Sequence, residues 1–228
     1  MKTSKKIFFL FLSLGAVFII GSLLNLPIFT SASTFFLIPV LILYYRYKAK
    51  KWFFPMVLVL LLFYVRDILM IEGFFRNSKL ILWTFGGAIV LLYVFALTSF
   101  KWSRIQVVEM VSLMIMYAFL GFLYFTLAEL IPQVISTHRE VAYIYILTLI
   151  VLLAITFSQY ILKAHYASLW LMLASASLLL SELSLFFKIF ILPDISVTIF
   201  FPLFHIVALF GMVEHAIHRR KSSMLPGF

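Results

Sequence analysis

Long apolar runs alternate along this chain with short polar breaks, most of them basic, and the longer runs match the roughly 20 residues that carry a helix across a bilayer. Strands of a membrane barrel would show short segments alternating every second residue, which these runs do not. The pattern predicts eight spans, over 7–25, 33–47, 52–72, 79–99, 105–130, 142–162, 165–188 and 195–216. The second is short and polar at its end, so seven spans is the alternative count. Connections are a few residues each, apart from the stretch around Pro132 to Glu140, and none can hold a soluble domain. The expectation is one all-α transmembrane bundle over residues 1–228.

Composition excludes the main competing class. With 65% hydrophobic and 11% charged residues and a mean hydropathy of +1.16, the chain is too apolar for a soluble domain of its length. The net charge of +10 raises nucleic acid as a partner, but the basic residues cap spans and form no binding motif. Anionic lipid headgroups account for them better. With the N-terminus inside, thirteen basic residues are cytoplasmic: Lys2, Lys5, Lys6, Arg46, Lys48, Lys50, Lys51, Lys101, Arg104, Lys163, Arg219, Arg220 and Lys221. Arg76, Lys79, Arg139 and Lys188 lie on the other side, and Arg66 falls within a span. That asymmetry predicts a multi-pass protein, expected in the bacterial inner membrane, with both termini cytoplasmic. MKTSKK before an apolar run resembles a signal peptide, but the run is long and has no clear cleavage motif. It reads as an uncleaved first span, with a cut near Ser31 to Ser33 as the alternative. No cysteine is present, which removes disulfides and thiolate chemistry. No phosphate loop, haem ligand pair or zinc spacing appears, so neither cofactor nor metal is expected.

The positions that break the apolar pattern carry the chemistry. Asp67 ends WFFPMVLVLLLFYVRDILMI and Glu182 sits in LWLMLASASLLLSELSLFF. A carboxyl in hydrocarbon is costly unless protonated, paired or facing a wet cavity, which makes it a functional candidate by default. The third and seventh spans run in the same direction, with Asp67 about 15 and Glu182 about 17 residues along them, so the two carboxyls should sit at similar depth in the outer half and share a pocket. An even count also permits a four-plus-four parallel duplication pairing span three with span seven.

VRDILMI at 65–71, SELSLFFKIF at 181–190 and FFPLFH at 200–205 resemble motifs of the YhhN-like lysoplasmalogenase membrane proteins. Asp67 matches the aspartate of that family's third-span motif, with Arg66 replacing a glycine. Glu182 stands for an aspartate in the seventh span and Lys188 is retained, while His205 takes the place of a glutamine in the last. A second-span lysine and a fourth-span histidine are missing, at Ile38 and Val90. The resemblance implies a hydrolase that cleaves the vinyl ether of a lysoplasmalogen to a fatty aldehyde and a glycerophospho-alcohol. That reaction needs a proton donor, a cation stabiliser and a water. Two carboxyls in different surroundings can divide such roles, which makes Asp67 and Glu182 the catalytic candidates. His205 is a candidate partner for the water or the headgroup, and Lys188 and Arg66 for the phosphate.

Simpler readings stand beside these. Either carboxyl can be a structural partner of a neighbouring helix, and Lys188 can snorkel to the interface. Arg66 and Asp67 point about 100° apart on a helix and need not pair. Ser177, Ser181 and Ser184 share a face with Lys188, a stripe that suits close helix packing better than nucleophilic catalysis. Glu109, Glu129 and Glu214 lie near span ends, where exposed or capping roles are expected. The competing function is a small transporter or lipid-binding protein using the same carboxyls as gate or proton sites. A retinal protein, suggested by Lys188 in the seventh span, is disfavoured because that lysine is too near the boundary for a mid-membrane Schiff base.

Overall fold

The computed structural model describes residues 2–49, 53–98, 106–134, 139–163, 165–191 and 194–219. Lys50, Lys51, Lys101, Arg104, Arg220 and Lys221, which enter the charge asymmetry above, lie outside the described residues. The described chain forms eight helices: α1 (Lys2–Leu23), α2 (Pro27–Ala49), α3 (Phe54–Glu72), α4 (Phe74–Thr98), α5 (Val107–Val134), α6 (Arg139–Lys163), α7 (Tyr166–Phe190) and α8 (Ile195–His218). All eight are long and apolar enough to cross a membrane. In a bilayer every backbone N–H and C=O must be satisfied within the segment, which is why apolar runs of this length become helices.

The second span is a full helix, 23 residues long, and not the short segment the hydropathy pattern suggested. It begins at Pro27, a position where the missing N–H costs nothing. The polar residues that hid its first turns are absorbed locally: the Thr30 hydroxyl donates to the Pro27 carbonyl and the Thr34 hydroxyl to that of Thr30. The α1–α2 and α3–α4 turns are tight. Asn25, between α1 and α2, has φ 51°, a left-handed conformation asparagine tolerates, and Gly73 joins α3 to α4 at φ 125°. The α8 N-terminus is capped by Asp194, whose carboxylate accepts from the Ile195 N–H and the Ser196 hydroxyl. Those bonds hold its pKa below the ordinary aspartate value.

α8 is the centre of the bundle. It packs most extensively on α7 and also touches α1, α2 and α3. α2 meets α8 as α6 meets α4, in keeping with a repeat, but α1 on α8 has no α5–α4 counterpart of comparable extent among the described residues. α5 leans on α6 and exposes an apolar face that includes Met114, Phe119, Phe122 and Phe125, as a lipid-facing helix does.

Close approach of α7 and α8 depends on Gly211, where an added Cβ would lie 3.0 Å from the Ala174 Cβ and 3.2 Å from the Trp170 carbonyl oxygen. Gly86 on α4 has nothing within 4 Å of that position. Gly211→Val is therefore expected to destabilise the protein by about 1–3 kcal/mol through overpacking against backbone that cannot swing away. Gly86→Val should leave the thermal midpoint in detergent near that of the parent. Equal midpoints for both variants would show that the α7–α8 contact is not limiting.

Candidate functional site

Both candidate carboxyls are buried, Asp67 to 8% and Glu182 to 2% relative exposure, so each must have found a partner or a cavity. They found different ones. Asp67 Oδ2 lies 2.8 Å from His205 Nε2, which joins the end of α3 to the first half of α8. Glu182 is held from two sides: Arg66 Nη2 donates to its two oxygens at 2.6 and 2.5 Å, and the Tyr145 hydroxyl of α6 donates to Oε2. The Arg66 guanidinium lies over the Phe85 ring of α4, 5.0 Å from its centroid. One arginine thus ties α3 to α4 and α7, and through Glu182 to α6.

The two groups communicate through Arg66, whose Nη1 is 3.6 Å from Asp67 Oδ1. Adjacent residues on a helix diverge, yet the long arginine side chain reaches back. Its first partner is nevertheless Glu182.

A cavity of about 540 Å³ opens at this end of the bundle, between the end of α1, the start of α2, the end of α3, the end of α7 and the first half of α8. Asp67 and His205 lie in its buried wall, together with Ser22 and Thr34. Asn25, Leu26, Pro27 and Ile71 form an exposed rim, and Lys188, half-buried, lines it from the last turn of α7. Phe18, Phe74, Phe201 and Leu185 supply apolar surface. The polar residues in the first turns of α2 are explained here, since Thr30, Ser31 and Thr34 are cavity wall.

His205 is fixed by packing as well as by Asp67. The Phe201 ring stacks on it at 5.8 Å with an interplanar angle of 27°, and Phe63 meets it edge-on at 6.3 Å. Beside Pro202, the Ser181 hydroxyl of α7 donates to the Phe201 carbonyl at 3.1 Å and so fixes α8 one turn before the histidine. This is the helix-contact role expected of the serine stripe. With Nε2 committed to Asp67, the second ring nitrogen, Nδ1, is buried and has no partner among the described residues.

Three expectations are corrected by this arrangement. Glu182 does not line the cavity that Asp67 lines, and is instead held by Arg66 and Tyr145. Arg66 is not free to hold a phosphate: it is 1% exposed and committed to Glu182. Glu214 is not an exposed residue at a span end but is 3% exposed. It accepts from the Tyr44 hydroxyl at 2.8 Å and from Lys48 Nζ at 2.6 Å, and lies 3.3 Å from His218 Nε2. Glu129 is exposed, and Glu109 caps α5 by accepting from the Gln106 N–H at 2.8 Å.

The Glu214 cluster lies near the C-terminal end of α8 and the Asp67–His205 pair near its middle. Between them Ile206 to Val213 is apolar throughout and mostly buried, so no polar side chain of that helix links the two. Sequence reasoning missed Tyr145, Phe85 and Phe201, three aromatic residues among many whose pairings depend on which helices become neighbours. Comparison of the chain with protein-family models, curated proteins and solved structures gave no match.

Proposed function

We propose that the protein is a membrane-embedded hydrolase that cleaves the vinyl ether bond of a lysoplasmalogen or related single-chain ether lipid. One observation carries the reading: a carboxyl–imidazole pair at the buried end of a cavity with apolar walls and a lysine nearer its rim. Such a cavity suits an amphiphile with one chain, and the resemblance of VRDILMI and SELSLFFKIF to lysoplasmalogenase motifs points to the same chemistry. The apolar stretch of α8 between its two polar groups favours a closed site over a transport path.

In the reaction, the Asp67–His205 pair delivers a proton to the vinyl carbon beyond the ether-bearing one. The π electrons form the new C–H bond and the ether oxygen shares its lone pair, giving an oxocarbenium ion. The Asp67 carboxylate opposes the developing positive charge. Water adds to the cationic carbon and returns a proton to the pair. The hemiacetal hydroxyl then gives up its proton and the glycerol oxygen takes one up, through the pair, as the bond between carbon and that oxygen breaks, yielding aldehyde and alcohol. Catalytic residues in this scheme are Asp67 and His205. Glu182 acts through Arg66, which it holds beside Asp67, and is a positioning residue. Lys188 is the candidate contact for the phosphate.

The excess of basic residues at the end bearing the chain termini supports a cytoplasmic placement of both, which puts the cavity at the outer face of what we take to be a bacterial inner membrane. The test is to incubate the purified protein with lysoplasmalogens in detergent and measure fatty aldehyde. Release that depends on the protein is the expected result. A well-folded protein that releases none from any headgroup class would overturn the hydrolase reading in favour of a lipid-binding or transport role.

A further inference from the structure

The charges around the cavity carry a statement about the headgroup, and it rests on reading the cavity as a single-chain lipid site but not on vinyl ether cleavage. Among the described residues Lys188 is the only lysine or arginine in the lining, and it has no ion pair. The only acid among the described lining residues is Asp67, which is buried and bonded to His205. Near the rim the remaining polar groups are Asn25, Thr30 and Ser31, neutral side chains that suit phosphate oxygens.

Register along the helices sets the spacing. Lys188 is two residues from the end of α7, whereas Asp67 is five from the end of α3 and His205 ten from the start of α8. The carboxyl–imidazole pair therefore sits on the order of 5–10 Å deeper than the lysine. In a glycerophospholipid the phosphorus is a handful of bonds from the ether oxygen, a matching reach. A lipid with its ether at Asp67 and His205 places its phosphate near Lys188. Among the described residues that line the cavity, an ammonium beyond that phosphate would meet a lysine and no carboxylate other than the buried Asp67.

The geometry points to selection by headgroup charge: the cavity takes single-chain phospholipids whose phosphodiester carries no ammonium, with Lys188 as the phosphate contact, and disfavours phosphocholine and phosphoethanolamine heads. Unopposed like charge at this range accounts for a preference of about tenfold.

The experiment uses saturated 1-O-alkyl lysolipids, which have no vinyl group to cleave, bearing either phosphoglycerol or phosphocholine. Affinities are measured by native mass spectrometry on the full chain in a neutral detergent. The parent is expected to bind the phosphoglycerol lipid about tenfold more tightly. Lys188→Gln should abolish the preference and Lys188→Glu should invert it, while Lys79→Glu, an exposed charge at the same end, should leave it unchanged. Equal affinities in the parent overturn the inference, and so does a preference that survives Lys188→Glu in a protein with the parental thermal midpoint. Loss of the preference in Lys79→Glu would assign it to general surface potential and overturn it too. Headgroup selection without aldehyde release sinks the hydrolase reading alone, and aldehyde release without selection sinks this inference alone. Failure of both lipids to bind removes the lipid site on which the two depend.

Discussion

Asp67→Asn protein, folded as the parent is, is expected to release aldehyde from a lysoplasmalogen about 10² to 10⁴ times more slowly. The amide matches the carboxylate in size, and its oxygen can still accept from His205 Nε2, so the 2.8 Å contact and the packing of Phe63 and Phe201 around the imidazole have no reason to move. What is lost is charge. Without a carboxylate, nothing at the buried end of the cavity opposes the oxocarbenium ion, and the histidine loses the partner that shares its proton. Arg66 Nη1, 3.6 Å from Asp67 Oδ1, would also face a neutral group. Thermal unfolding in detergent separates the chemical effect from misfolding: an unchanged midpoint with a large rate loss is the expected pattern. Full activity in a folded Asp67→Asn protein would remove Asp67 from the reaction.

The class of the molecule was legible because apolar runs of bilayer length have few alternative fates. All eight predicted spans lie on observed helices, and the second, read as 33–47, extends back to Pro27. Thr30 and Ser31, left outside the predicted span, and Thr34, inside it, are the polar wall of a cavity. The candidate site was half legible. Asp67 and Glu182 stood out because a carboxyl in an apolar run is rare, and His205 because it falls mid-span. Their pairing was not legible, since it depends on how α3, α7 and α8 rotate about their own axes. Matched depth suggested that the carboxyls meet each other. In fact each meets a basic residue, His205 for one and Arg66 for the other. Glu214 shows the same limit. Its position near a helix end suggests exposure, but α2 brings Tyr44 and Lys48 against it and closes the end over.

Arg66→Met is expected to destabilise the bundle by about 3–5 kcal/mol, because it leaves Glu182 buried with only the Tyr145 hydroxyl as a partner. The size of this effect follows from the charge and not from the count of bonds. Interhelical hydrogen bonds between neutral groups in membranes are worth roughly 1 kcal/mol, since the unfolded chain in lipid finds other partners. A carboxylate at 2% exposure has no such recourse. Replacing both members, Arg66→Met with Glu182→Met, should therefore recover most of the loss, as buried ion pairs exchanged for apolar groups of similar volume often do. Thermal or denaturant unfolding of the parent, the two single variants and the double variant gives the coupling between the positions directly. A double variant no more stable than Arg66→Met would mean that the pair is not what holds these helices. Activity should not recover with stability: the double variant lacks the guanidinium beside Asp67, so aldehyde release stays low in a protein that is folded. That split between restored folding and unrestored turnover is what distinguishes a positioning role for Arg66 and Glu182 from a purely structural one.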